Sequence, residues 1–217
     1  MTATRPALRI IAGNEYRRER WRNGAGWTRA IHAQPDSRSR VGTALRPGPD
    51  AGQPADWIWR LSIAEIEFDG AYSRFDGVER EQVLLSGNGL QLHFDDGATR
   101  DLLPPHQALR FAGERAVSAG LVDGRVEVFN LMWRRDAVDV RLWRRPLVGA
   151  MVLFVDPGTT WAVHLLGGHA RVDGVASASL AGGDTALLEA PGRRTRHVLD
   201  GGGEVLLARI GDLDRPV

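Results

Sequence analysis

Polar side chains interrupt apolar, strand-like stretches of the sequence. Arg60 and Ser62 stand in a tryptophan-rich stretch, and Asn130 stands in an apolar one. Because Arg60 and Ser62 are two positions apart, they share one face of a strand. A buried guanidinium must be paired and is a bidentate fork for a carboxylate. We therefore expect Arg60 to bind an anionic ligand if this face lines a cavity. The alternative is a salt bridge to Glu65, Glu67 or another internal acid.

Two loops carry further groups that could bind a ligand. The stretch 22–28 combines Arg22, Asn23 and Thr28 with glycines that allow close approach of the backbone. The stretch 70–80 mixes polar and aromatic side chains, and loops on rigid β scaffolds commonly carry function. The structural alternatives are a turn into the first strand and an ordinary connection between strands.

Composition excludes several kinds of chemistry. The 217 residues include no cysteine and no lysine, so all 28 basic residues are arginines, facing 27 acids. This rules out disulfides, a thiolate zinc site, a cysteine nucleophile and a lysine Schiff base. The net charge of +1 argues against nucleic-acid binding by bulk charge. No stretch approaches the ~18 apolar residues of a membrane helix, and we expect a cytoplasmic protein with no membrane partner.

The histidines do not form a complete metal site in the sequence. None of the six stands in an HxH or HExxH pattern. His164 and His197 lie in cupin-like fragments, but Leu166 occupies the position where a metal cupin carries its second histidine. We expect no metal and no other cofactor. A metal-dependent dioxygenase using His164, His169 and His197 is the less favoured alternative.

The elements that must position these side chains are strands. Short apolar runs alternate with a period of two, and 26 glycines and 11 prolines separate them. A faint repeat between the two halves has the rhythm of a jelly roll, which predicts an all-β fold with two such units. The proline- and glycine-rich stretch 34–56 predicts a long surface loop. A weak helical signal covers residues 13–20.

Several motifs, taken in order, resemble the HutD/Ves family. The stretch 21–28, WRNGAGWT, is similar to the family's WxNGxGxT signature, although Ala25 replaces a common glycine. The stretches 59–66, 69–80 and 129–132 resemble the motifs that follow it. The match covers about residues 17–135, interrupted by the insertion 34–55.

The resemblance implies a cupin-type double jelly roll (bicupin, RmlC-like) without a metal. Residues 1–135 would form the half that carries the motifs, and residues 136–217 a degenerate half. The HutD branch implies a link to histidine utilisation, with N-formylglutamate as the suggested ligand, whereas the Ves branch is described as stress-related. We therefore expect a regulator or sensor that binds a small acidic metabolite, and we expect a homodimer.

The expected ligand-binding residues come from the residue patterns and from the family resemblance together. They are Arg22, Asn23, Gly24, Thr28, Arg60, Ser62, Ser73, Phe75, Arg80 and Asn130. The resemblance also points to Gly26. Arg60 would hold one carboxylate, and Arg22 or Arg80 the other. The alternative is a metal-free isomerase or epimerase in which Tyr72, Glu65 and Asp76 are the acid–base candidates. An internal pair of titratable groups with opposed pKa shifts would favour it.

Overall fold

A computed structural model describes residues 8–36 and 56–213. These residues form two compact units, which we call the first unit (Arg17–Ala137) and the second unit (the residues up to Tyr16 and from Val138 on). Apart from one 3-10 turn, Gly13–Glu15, the regular structure of the described residues is all strand. The all-β prediction is confirmed.

The first unit contains two antiparallel sheets. Its strands are β2 (Arg17–Arg20), β3 (Gly26–Pro35), β4 (Trp57–Ile66), β5 (Gly70–Ala71), β6 (Val78–Ser86), β7 (Leu90–Phe94), β8 (Thr99–Leu102), β9 (Ala108–Ala112), β10 (Val117–Leu121) and β11 (Val126–Arg134). One sheet has six strands in the order β2-β3-β4-β11-β6-β9. The other has four, in the order β5-β10-β7-β8.

One face of the six-stranded sheet changes character along its strands. At one end it is apolar, and Ala64, Val128 and Leu84 pack in a cluster with Leu90 and Leu92 of the four-stranded sheet. Because side chains alternate between the two faces of a sheet, every second residue along each strand lies on the same face. At the other end these positions are polar, and they line the cavity described below.

The second unit contains a six-stranded sheet with an apolar interior. Its strands are β1 (Leu8–Ile11), β12 (Val138–Val155), β13 (Thr159–Asp173), β14 (Ser177–Ala181), β15 (Thr185–Glu189) and β16 (Thr195–Asp212). The order is β1-β15-β13-β16-β12, with β14 paired to β13. Its core is a cluster of apolar side chains that includes Leu165, Val172 and Leu199. The first described strand, β1, pairs with β15 and so belongs to this unit.

The sequence made local predictions for residues 13–20 and 34–56. The helix expected over residues 13–20 is wrong beyond its first turn, because Arg17–Arg20 pair with β3 as a hairpin strand. Of the loop expected over 34–56, the ends are described: Pro35 closes β3, and the amide of Asp36 donates to the Asp56 carbonyl at 3.0 Å. Residues 37–55 lie outside the described part. The expected division into an N-terminal half, residues 1–135, and a C-terminal half, residues 136–217, stays a prediction.

Among the described residues, no helix is long and apolar enough to cross a membrane.

Candidate functional site

A cavity of about 300 Å³ opens in the first unit at the polar end of the sheet face. Every lining residue belongs to the first unit. They are Glu19, Arg20, Trp21, Arg22, Asn23, Thr28, Arg60, Ser62, Ala64, Ala71, Tyr72, Ser73, Phe75, Arg80, Gln82, Asn130 and Met132. Four arginines and several neutral polar groups therefore face one internal space.

Strand register places two arginines on either side of the central strand. Met132 of β11 is paired with Arg60 of β4 on one side and with Arg80 of β6 on the other. Neighbouring strands lie about 4.8 Å apart, so the two arginine Cα atoms are separated by about 10 Å. Because all three positions point to the same face, both guanidinium groups enter the same cavity. We call Arg60, Met132 and Arg80 the arginine row.

Among the described residues, Arg80 is a buried cation without a charged partner. Only 7% of its surface is exposed, and its Nε atom has no hydrogen-bond partner. Its guanidinium carbon lies 4.8, 5.8 and 5.2 Å from the ring centres of Tyr72, Phe75 and Phe111. Burial lowers the pKa of Arg80 to about 10; Tyr72 opposes this shift and the neighbouring Arg60 adds to it. The aromatic rings compensate the charge only in part.

Arg60 is also without an ion-pair partner in the described part of the chain. The two acids that sequence reasoning offered it are engaged elsewhere: Glu65 with Arg29 at 2.9 Å, and Glu67 with Arg20 at 2.5 Å. Burial lowers the pKa of Arg60, because desolvation outweighs the attraction of more distant acids. The salt-bridge alternative for Arg60 is therefore wrong for these two acids.

A second row, next to the first, carries neutral polar groups. Asn130 of β11 is paired with Ser62 on one side and Gln82 on the other, and we call these three residues the amide row. They are 7%, 1% and 1% exposed, respectively. The Gln82 amide donates to Asn130 Oδ1 at 3.5 Å, and the Tyr72 hydroxyl donates to Gln82 Oε1 at 3.5 Å. Both contacts are at the long limit of a hydrogen bond.

The hairpin between β2 and β3 forms the rim of the cavity. The Trp21 indole N–H donates to Thr28 Oγ1 at 2.8 Å, which fixes the ring across the hairpin. Asn23 Oδ1 accepts the Ala25 amide at 3.0 Å. Gly24 adopts a left-handed backbone conformation (φ 72°) in this turn, which explains the glycine there.

Nine of the ten expected ligand-binding residues line this one cavity, and Gly24 lies in the adjacent turn instead. Their role in binding stays a prediction. Sequence reasoning missed several lining residues as ligand groups: Glu19, Arg20, Tyr72, Gln82 and Met132. Gln82 had a usable signal, since it stands two positions after Arg80 in a strand and so shares its face.

The acid–base candidates are not brought together. Glu65 and Asp76 are absent from the cavity lining, and Asp76 is exposed. The carboxylate in the described lining is that of Glu19, which pairs with Arg17 at 2.5 Å. Tyr72 does line the cavity, and burial raises the pKa of its hydroxyl. The described lining therefore offers donors and cations for binding rather than a facing acid–base pair.

The three histidines considered as metal ligands have other surroundings. His164 Nδ1 lies 3.0 Å from Thr185 Oγ1, and His169 is exposed. His197 is fully buried, with Nε2 3.2 Å from Thr195 Oγ1. Over residues 8–36 and 56–213, no three histidine or carboxylate side chains cluster as metal ligands would.

His197 should make the protein less stable in mild acid. Burial lowers its pKa below the ordinary 6.5, and its Nδ1 has no hydrogen-bond partner among the described residues. Below pH 6.5 the histidine binds a proton in the unfolded chain but not in the folded chain. The free energy of unfolding therefore decreases as the pH is lowered, until the pH reaches the pKa of His197 in the folded state. The slope is at most about 1.4 kcal/mol per pH unit.

A His197→Gln variant should lose this component of the pH dependence. Denaturant titrations at pH 5, 6 and 7 would measure it, with the exposed His169→Gln as control. Equal pH slopes for wild type and His197→Gln would contradict the assignment.

The chain is similar to known proteins over the range that contains these motifs. The HutD family model matches residues 13–207. HutD from Pseudomonas fluorescens has a solved structure that is 26% identical, covers 95% of this chain and 99% of its own, and superimposes with a TM-score of 0.74. A cupin 2 barrel protein from Leptotrichia buccalis, 10% identical with a TM-score of 0.50, covers 84% of this chain and 98% of its own. It shares the fold alone. The cupin-type fold is confirmed.

Curated relatives match over a shorter part of the chain. A 21.2 kDa Pseudomonas putida protein, described as lying in the hutC 3′ region, is 35% identical over 136 residues, or 62% of this chain and 63% of its own. Protein Ves of Cronobacter sakazakii is 41% identical over 117 residues, or 54% of this chain and 55% of its own. The chain thus spans less than two thirds of the length of these relatives.

Proposed function

Because the chain belongs to the HutD family, we propose that it is a metal-independent binding protein for a small acidic metabolite, held in the cavity of the first unit. The ligand class is an N-acylated dicarboxylic amino acid such as N-formylglutamate. The protein would act as a sensor or regulator in histidine utilisation. The hutC-region name of the Pseudomonas putida relative supports that context.

One observation carries the proposal: two inward-facing arginines, Arg60 and Arg80, share a cavity without an ion-pair partner among the described residues. Removing a charge from water costs several kcal/mol, and natural proteins normally recover this by pairing. A ligand with two carboxylates would supply both missing partners. Arg22, exposed at the rim, would attract the ligand toward the opening.

Cavity size agrees with a small metabolite. At about 300 Å³ it lies at the lower end of the range for small-molecule sites, which runs from about 300 to 1,000 Å³. The walls combine rings of Trp21, Tyr72 and Phe75 with a few converging polar groups, as is usual for such sites. A molecule of about ten heavy atoms with negative charge at both ends would fit this description.

Calorimetric titration with N-formylglutamate tests the proposal. We expect saturable binding to the wild type and a loss of about 1.5–3 kcal/mol, or about 10–150-fold in affinity, for Arg60→Ala, because a charge-assisted fork is removed. Arg100→Ala is the matched control, since Arg100 is exposed on β8 and its side chain, within the described part of the chain, donates to the neighbouring Thr99 carbonyl. Binding that survives unchanged in Arg60→Ala would remove Arg60 from the site.

A further inference from the structure

We infer that Gln82, acting with Asn130, restricts the site to ligands whose nitrogen is neutral, so that N-acylated acids bind and the corresponding free amino acids do not. This rests on the proposed function and adds a rule of selectivity to it. Neither sequence reasoning nor the family resemblance assigned Gln82 a role.

The first ground is charge. A free amino acid brings an ammonium group, which needs a carboxylate or several acceptors to replace its water. Arg60 and Arg80 give the inner cavity two positive charges, and the lining carboxylate of the described residues, Glu19, is already paired with Arg17 at 2.5 Å. An ammonium beside the amide row would therefore meet two guanidinium groups and no unpaired acid. An acylated nitrogen carries no charge and avoids this cost.

The second ground is that the amide groups of the amide row make only weak hydrogen bonds. A primary amide offers two N–H donors and two acceptor sites. Gln82 and Asn130 are buried, yet their mutual contact and the Tyr72–Gln82 contact are both 3.5 Å long. Buried amides normally form shorter bonds, since unmet groups cost free energy. A ligand amide, with one N–H and one carbonyl, would supply the complementary pair.

The third ground is the spacing of the two rows. Arg80 and Gln82 are two residues apart on β6, and Met132 and Asn130 are two apart on β11. Two residues along a strand span about 6.8 Å, so the amide row lies within one small molecule's length of the arginine row. A ligand whose carboxylates reach the arginines can therefore present its acylated nitrogen to Gln82 and Asn130.

Calorimetry with three probes tests the inference: N-formylglutamate, glutamate, and glutarate, which has two carboxylates and no nitrogen. For the wild type we expect N-formylglutamate to bind at least tenfold more tightly than glutamate. Gln82→Glu should shift the ratio of these two affinities at least tenfold toward glutamate, because the new carboxylate meets the ammonium. The new carboxylate also competes with the ligand for Arg80 and so weakens both ligands. The readout is therefore the ratio of the two affinities measured on the same variant.

Two further variants make the outcome decisive. Gln82→Leu, apolar and of similar size, should bring N-formylglutamate down to the affinity of glutarate. Gln91→Glu adds a carboxylate at an exposed position of β7 and should leave all ratios unchanged. If glutarate and N-formylglutamate bind but the ratios do not respond to Gln82, this inference is overturned and the proposed function stands. If neither dicarboxylate binds the wild type, both are overturned.

Discussion

An Arg80→Met variant is expected to lose affinity for a dicarboxylate by at least 100-fold and yet to unfold at a higher temperature than the wild type when no ligand is present. Arg80 is 7% exposed, stands among three aromatic rings and has no ion-pair partner among the described residues. Replacing a buried ion pair by apolar side chains of similar volume is often neutral or stabilising by about 1–4 kcal/mol. Arg80 has no such pair to lose among the described residues, so we expect the stabilising outcome. The same replacement removes the guanidinium that the bound carboxylate needs.

Two measurements separate these effects. Thermal unfolding without ligand should show the variant higher by several degrees, since about 1 kcal/mol shifts the midpoint of a chain of this size by about 2–4 °C. Adding N-formylglutamate should raise the midpoint of the wild type but not of Arg80→Met, because only a folded state that binds is stabilised.

Arg110→Met is the matched control for Arg80→Met. Arg110 also packs over a ring, that of Trp133 at 4.8 Å, but it is exposed and pairs with Glu81 at 2.6 Å. It should change neither stability nor binding by much, since exposed ion pairs contribute about 0–1 kcal/mol. A lower unfolding midpoint for Arg80→Met would instead show that the aromatic rings fully compensate the buried charge. That result would weaken the proposal that the cavity binds an anion.

The strands were predictable where alternation was strong and not where it was absent. In β4 the tryptophans alternate with other residues, and the pattern identified the strand. In β2 four charged residues in a row, Arg17–Arg20, carry no alternation of apolar side chains. That segment is a strand because Trp27 and its neighbours pair with it across a tight hairpin. A pairing partner, rather than local propensity, decides its conformation.

Nine residues of the cavity lining were predictable from the sequence as candidates, but their arrangement was not. Spacing alone put Arg60 and Ser62 on one face. That Asn130 stands between Ser62 and Gln82 depends on register between strands about 50 to 70 residues apart, which one sequence does not encode locally. Gln82 follows the charged residues 79–81, and such a run is typical of a solvent-exposed strand, so the local sequence does not indicate a buried amide. Its burial, with 1% of its surface exposed, comes from tertiary packing that the local sequence does not show.

A Gly26→Ala variant is expected to destabilise the protein by about 3 kcal/mol, the upper part of the usual range for overpacking. Gly26 is the second glycine of the signature and opens β3, opposite Ile66 of β4. A Cβ atom there would overlap the Glu65 carbonyl oxygen, which is backbone and cannot move away cheaply. The strands would have to separate where the rim hairpin begins, although Gly26 itself is not part of the cavity lining.

Thermal unfolding would show this as a midpoint lower by about 6–12 °C. Gly192→Ala is the matched control, because a Cβ there meets open space and the backbone is not left-handed. It should shift the midpoint by no more than about 1–2 °C, since surface substitutions cost about 0.5 kcal/mol at most. Equal midpoints for the two variants would show that β3 can move away from β4 at little cost. In that case, a role in ligand binding would have to explain why residue 26 is glycine. The overlap with the Glu65 carbonyl oxygen indicates instead that glycine is needed there for β3 to pair with β4.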